Sequence, residues 1–191
     1  SLTAAGLTNA KDIVTPYVFE IFKRYPITLD EVDFSGGNLK NVVVTPLEAD
    51  PKMVTIKGIP STNSVELVAT VPANMTSDFT YSVLFITVHG KMDAKITKMN
   101  FDMEIDMSTQ PAVNNSAELA PYLKVSKSEV TINPDDITIT LSGSSVAKIA
   151  QAFVPYLKST VMPKVIDAVK AKIKKQIEVT LDQDLAIYGV E

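Results

Sequence analysis

Leu157, Val161, Val165, Val169, Ile173, Ile177 and Leu181 recur every fourth residue, and Phe153, Ile149 and Val146 extend the row backwards. That spacing predicts one apolar stripe on a single helix over about 145–183. At ~1.5 Å per residue the helix is roughly 55 Å long, whereas a compact chain of this size has a radius of gyration of about 16 Å. The molecule must be elongated, and the surface that covers the stripe must be long as well. Ser144 or Ser145 after Gly143 suits the N-cap, and Lys170, Lys172, Lys174 and Lys175 suit the negative end of the helix dipole. Pro155 and Pro163 predict bends that let the helix follow a curved sheet.

At the other end of the chain, Ile13, Val14, Tyr17, Val18, Ile21 and Phe22 fall as adjacent pairs four apart, predicting a shorter helix that stops before Tyr25-Pro26. Between the helices the period is two. Strands are predicted over 39–44, 53–59, 65–71, 79–89, 98–108, 124–132 and 137–141, with a short helical turn near 117–123. His89-Gly90-Lys91 and Asn133-Pro134-Asp135-Asp136 read as turns. The cleanest alternation sets Met99, Phe101, Met103, Ile105 and Met107 against Asn100, Asp102, Glu104 and Asp106, one face apolar and the other acidic. Methionine is flexible and polarizable, so three on one row suit a cavity whose occupant varies; the plainer reading is core contact with the long helix.

A chain of 191 residues, 46% hydrophobic, is enough for one core, and a single domain over 1–191 is expected. A net charge of −4 with mixed signs argues against nucleic acid as a partner. No stretch approaches the ~18 apolar residues of a helical membrane span, so a soluble protein is expected. With no cysteine, disulfides, thiol catalysis and cysteine-type zinc sites are excluded, and redox chemistry does not fix the compartment. The chain opens on Ser1, which fits a leader removed earlier and equally a chain cut from a longer one. Asn74-Met75-Thr76 and Asn114-Asn115-Ser116 are glycosylation sequons in turn-like stretches, read either as glycan sites or as chance.

The order of helix, antiparallel strands and long helix resembles the tubular lipid-binding (TULIP) superfamily, and within it one barrel of the bactericidal/permeability-increasing and lipopolysaccharide-binding protein family. The residues that carry the resemblance are the helix around 13–22, the strands 65–71, 79–88 and 99–107, the run Val125-Ser126-Lys127-Ser128-Glu129-Val130-Thr131-Ile132, and strand 137–141 leading through Ser142-Gly143-Ser144 into the long helix. It is a match of order and pattern, without a short signature motif. It implies an α+β fold: a strongly curved antiparallel sheet wrapped around the long C-terminal helix, a second N-terminal helix beside it, and an acyl-chain tunnel between. Two-barrel members are about twice this length, so a single barrel is implied, as in mite group 7 allergens and the short airway proteins. The disulfide of many vertebrate members has no counterpart here, and the negative charge departs from the cationic members that bind lipopolysaccharide phosphates.

Candidate chemistry is sparse. His89 is the only histidine, and Gly143-Ser144-Ser145-Val146 lacks the second glycine of a nucleophile elbow. Asp102, Glu104 and Asp106 share one strand face and read as solvated carboxylates, Asp135-Asp136 as turn chemistry and Asp182-Gln183-Asp184 as a helix end, none with the loop a calcium site needs. No catalytic residue, metal or cofactor is expected. Lysines from Lys158 to Lys175 read as a solvated helix face, or as contacts to anionic lipid head groups.

The expected function is non-enzymatic binding or transport of an amphipathic, fatty-acid-like lipid by a secreted protein, with transient membrane contact. The expected lining is Tyr17, Val18, Ile21 and Phe22 from the first helix, Val65, Leu67, Phe85, Met99, Phe101, Met103 and Ile105 from the sheet, and Phe153, Leu157, Val161, Val165 and Val169 from the long helix. Two alternatives differ in kind. One is a structural or interfacial protein with a solidly packed barrel, acting as surfactant or partner-binding module; the other is an intracellular lipid-transfer module of a larger protein.

Overall fold

A computed structural model describes residues 26–47, 50–62, 64–112 and 115–188, apart from the side chains of 51, 107–123, 177–178 and 180–188. The helix expected over 13–22 lies outside them, and with it Tyr17, Val18, Ile21 and Phe22; so does Asn114. Among the described residues seven strands form one antiparallel sheet: β1 (Ile27–Phe34), β2 (Gly37–Pro46), β3 (Val54–Ile59), β4 (Ser64–Val83), β5 (Ile86–Ala112), β6 (Asn115–Thr131) and β7 (Ile137–Ser142). The helical turn expected near 117–123 is strand, part of β6.

β4 and β5 are long because each serves two levels of the sheet. β4 pairs with β3 through its first half and with β2 through its second; β5 pairs along β4 on one side and takes β6 and β7 in succession on the other. The inward row of β4 runs unbroken through Val65, Leu67, Ala69, Val71, Ala73, Met75, Ser77 and Phe79, all buried. β5 keeps its apolar side inward only by a bulge. Met92, Ala94 and Ile96 are buried, then the row resumes one residue out of phase at Met99, Phe101, Met103 and Ile105. The register shift between Val71 and Ala73, opposite Thr97 and Lys98, absorbs the extra residue. Asn41, at φ 53, forms a similar bulge in β2. Bulges kink and twist strands, which is how this sheet curls.

The β4–β5 hairpin turns at Leu84-Phe85, so the expected strand 79–89 is two strand ends and a turn. His89-Gly90-Lys91 lies inside β5 instead of in a turn. Gly90 is there because β7 and an aromatic ring leave no room: an added Cβ would stand 2.4 Å from the Ser142 carbonyl oxygen and 2.8 Å from the Phe79 ring. Asn74 is likewise mid-strand, exposed on the convex face of β4, and not in a turn. The Asn133-Pro134 turn is as expected: the Asn133 side chain accepts a hydrogen bond from the Asp135 backbone N–H at 3.0 Å.

Beyond β7 a short 3-10 turn, Val146–Lys148, leads into α1 (Ala150–Tyr156), a π turn (Leu157–Val161) and α2 (Met162–Tyr188). Ser145 stands before that turn at φ 66 and makes no side-chain cap, so the expected capping does not occur. The helix runs on to Tyr188, which leaves Lys170–Lys175 in mid-helix and no basic residue in the last turn; Asp182-Gln183-Asp184 also lies within it. The π turn has a use. A row spaced by four creeps about 40° around an ideal helix at each step. The wider turn, closed by the Met162 N–H on the Leu157 carbonyl, takes part of that creep back. Phe153, Leu157, Val161, Val165, Val169 and Ile173 therefore all stay on the sheet. The bends expected at Pro155 and Pro163 are thus resolved as one wide turn between them; Pro163, with no N–H, removes one ordinary i→i−4 bond next to it. α2 touches both edge strands, β1 and β6, as only a curled sheet allows.

Candidate functional site

The inner face of the curl is the candidate site, because it collects nearly all the described residues among those expected to line a channel. Val65, Leu67, Met99, Phe101, Met103 and Ile105 from the sheet, and Phe153, Leu157, Val161, Val165 and Val169 from the helix, are buried at 9% exposure or less. Phe85 is the exception. It sits at the hairpin tip with its side chain fully in solvent, and is no part of the interior. No glycine or asparagine marks the turn, so from sequence alone 79–89 reads as one strand with Phe85 facing inward.

Other inward residues were missed. Met75 and Phe79 continue the β4 row past Pro72, and Met92 and Ile96 begin the β5 row before its bulge. Leu39, Val42 and Val44 come from β2, and Phe34 from β1. The signal was present: odd positions stay apolar from Val65 to Tyr81 with Ser77 the single break.

At the hairpin end the interior closes with aromatic rings. Tyr81 stacks on Phe153 at 4.1 Å between centroids with 14° between planes, and Phe79 approaches the same ring at 5.3 Å. Phe34 meets Tyr156 edge-on at 5.9 Å, and the Tyr156 hydroxyl donates to the Ser35 carbonyl at 3.2 Å. Further along, the wall is aliphatic and sulfur-rich: Met75, Met92, Met99, Met103 and Met162 are all 2% exposed or less. A residual cavity of about 10 Å³ remains, among Val44, Met75, Ile96, Ile137, Met162 and Val165. That is room for about one water molecule.

Among the described residues no charged side chain is buried. Ser64 and Ser77 are the buried polar residues, and Ser77 Oγ has no hydrogen-bond partner among them. The acidic face of β5 is outside. Its carboxylates are partly exposed, and two of them also make cross-strand bonds: Lys127 Nζ donates to Asp102 at 2.6 Å, which holds the ammonium above its ordinary pKa, aided by the charges of Asp102, Glu129 and Glu66. Ser64 Oγ and Ser126 Oγ donate to Asp106 at 2.7 and 3.0 Å. These bonds hold its carboxyl below the usual value, with help from Lys124 and against partial burial.

His89 is exposed in a shallow convex hollow, its Nδ1 3.0 Å from Thr80 Oγ1, while Asp78 on the same hollow accepts from Asn41. No group of three metal-ligating side chains occurs among the described residues, and no described helix is long and apolar enough to cross a membrane.

No protein-family model matches the chain, and no curated protein matches it. Solved structures do. It is similar to lipopolysaccharide binding protein, with a TM-score of 0.69 at 14% identity, over 96% of this chain and 40% of that one. It is also similar to Takeout 1 of Epiphyas postvittana, with a TM-score of 0.56 at 17% identity, over 82% of this chain and 78% of that one. The chain thus spans 40% of the length of the first. At such identities the likeness is one of fold: a curled antiparallel half-barrel on a long C-terminal helix.

Proposed function

We propose that this chain binds a hydrophobic, acyl-chain-bearing ligand in its interior and does no chemistry on it. One observation carries the reading: the described concave face is apolar but for Ser77 and soft in its middle, where Met75, Met92, Met99 and Met103 of the sheet are buried with Met162 of the helix. The fold shared with lipopolysaccharide binding protein supports it. Ligand pockets are commonly some 300–1,000 Å³, so the ~10 Å³ cavity is a seam along which the helix would part. Unbranched methionine side chains adapt to such a change at low cost. Burial of a sixteen-carbon chain is worth about 12 kcal/mol before ordering costs, enough for micromolar binding after them without a charged anchor.

The tight interior favours a second reading, a barrel packed solid and working through its surface. One experiment separates the two: organic extraction and mass spectrometry of natively purified protein, with titration of the delipidated protein by a fluorescent sixteen-carbon fatty acid. Ligand binding predicts retained lipid and saturable, near-stoichiometric uptake of the probe. No retained lipid together with no saturable uptake overturns it and leaves the solid barrel.

A further inference from the structure

The β4–β5 hairpin ends in four consecutive apolar residues, Val83-Leu84-Phe85-Ile86, that the interior does not use. Phe85 is 109% and Leu84 83% exposed, with Val83 and Ile86 more than a third exposed. We infer that this tip is a lipid-surface anchor, which docks the barrel end-on by inserting Leu84 and Phe85 into the interfacial region of a bilayer.

Three independent features agree. The backbone is the first: Leu84 and Phe85 have φ 46 and 70, both left-handed, in a two-residue turn. Such turns favour Asn-Gly, and bulky side chains there are strained. Large apolar residues are thus held where folding disfavours them and where they make no use of the core.

The second is charge. No Lys, Arg, Asp or Glu occurs over 79–90. The neighbouring β1–β2 turn, tied to the hairpin by the Ser82 N–H on the Gly36 carbonyl at 2.7 Å, is uncharged over 34–39. The third is the collar behind the tip. Thr80, Tyr81, Ser82, Thr87 and Tyr156 supply hydroxyls there, Ser82 and Thr87 bonded to each other at 2.9 Å. An apolar point backed by hydroxyls and tyrosines matches the gradient from acyl chains to head groups. A protein partner is less well served, since a stable interface needs about 800 Å² per side and a two-residue turn is a point.

These two uncharged stretches fix the kind of surface. Lys91, the first lysine along β5, is six residues from Phe85, about 20 Å in a strand, beyond the ~8–10 Å reach of charge in physiological salt. Docking should therefore need no anionic lipid and should withstand salt.

The chain has no tryptophan, so Phe85→Trp places a single reporter at the tip. With phosphatidylcholine vesicles its emission should shift to the blue and be quenched by lipids brominated in the acyl chain, equally at low and high salt. Leu84→Asn/Phe85→Gly installs the favoured turn residues; it should lower vesicle partitioning at least roughly tenfold without lowering the thermal midpoint. Val68→Thr, at an exposed apolar residue of the convex face, should leave partitioning unchanged. Lipid retained in the interior, measured by extraction, should be the same in all three, so failure here is distinct from failure of the proposed function. Unshifted emission with vesicles, binding only to anionic vesicles, or a self-association lost in the double variant without any vesicle binding would each overturn the anchor.

Discussion

The aromatic part of the interior and the methionine-rich part beyond it are differently built. At the hairpin end rings fix one another, with Tyr81 flat on Phe153 and Phe34 against both Phe153 and Tyr156. Further along, the same helix meets methionines and β-branched residues whose contacts have no preferred angle. Aromatic pairs lose energy when a ring tilts or slides, whereas methionine re-packs by changing rotamers. Deformability separates a stopper from a wall that can give way.

The sharpest way to break that contrast is Phe153→Ala, which removes the ring that Phe34, Phe79 and Tyr81 share. It should cost about 3–5 kcal/mol in denaturant unfolding. A loss below that of an ordinary buried leucine would mean that the rings are not a unit. In the wall, Met99→Leu/Met103→Leu conserves volume and should cost less than about 1.5 kcal/mol per site. The number of lipid chain lengths recovered by extraction should nevertheless fall, because leucine is stiffer; an unchanged spectrum of lipids would show that softness has no role.

The smallest effect lies outside, at Asp106. Its carboxyl titrates below the ordinary value in the folded chain, so its stabilisation is present at neutral pH and is lost as pH falls through the folded value. Asp106→Asn should be slightly less stable than wild type at neutral pH. The thermal melting curves of the two should converge in acid.

Much of the fold was legible because long amphipathic patterns are hard to mistake. The helical row from Phe153 to Ile173 and the β5 row from Met99 to Ile105 are regular over many residues, and both ended where expected, inside. What could not be seen was continuity across local interruptions. Pro72 and Ser77 look like breakers, yet β4 runs through both. The change of phase at Thr97-Lys98 hid the first half of β5, because a bulge moves the apolar set to the other parity. The true hairpin turn carried no turn residues, so glycine at position 90 took its place, although that glycine answers to crowding by Phe79 and β7. β1 was missed altogether: in Ile27–Phe34 the buried positions are Ile27, Leu29 and Phe34, too few for an alternating signal.

The wide turn at Leu157–Val161 gives the long helix a place to change length. A residue removed from 158–160 would tighten that turn into a regular one, with Met162–Tyr188 keeping its side to the sheet. The same removal near 167 would rotate everything beyond by about 100°, drawing Val169 and Ile173 off the barrel and turning Lys170 and Lys174 onto it. Insertions and deletions accumulating along such a chain would have one address in the helix that spares its hydrophobic side.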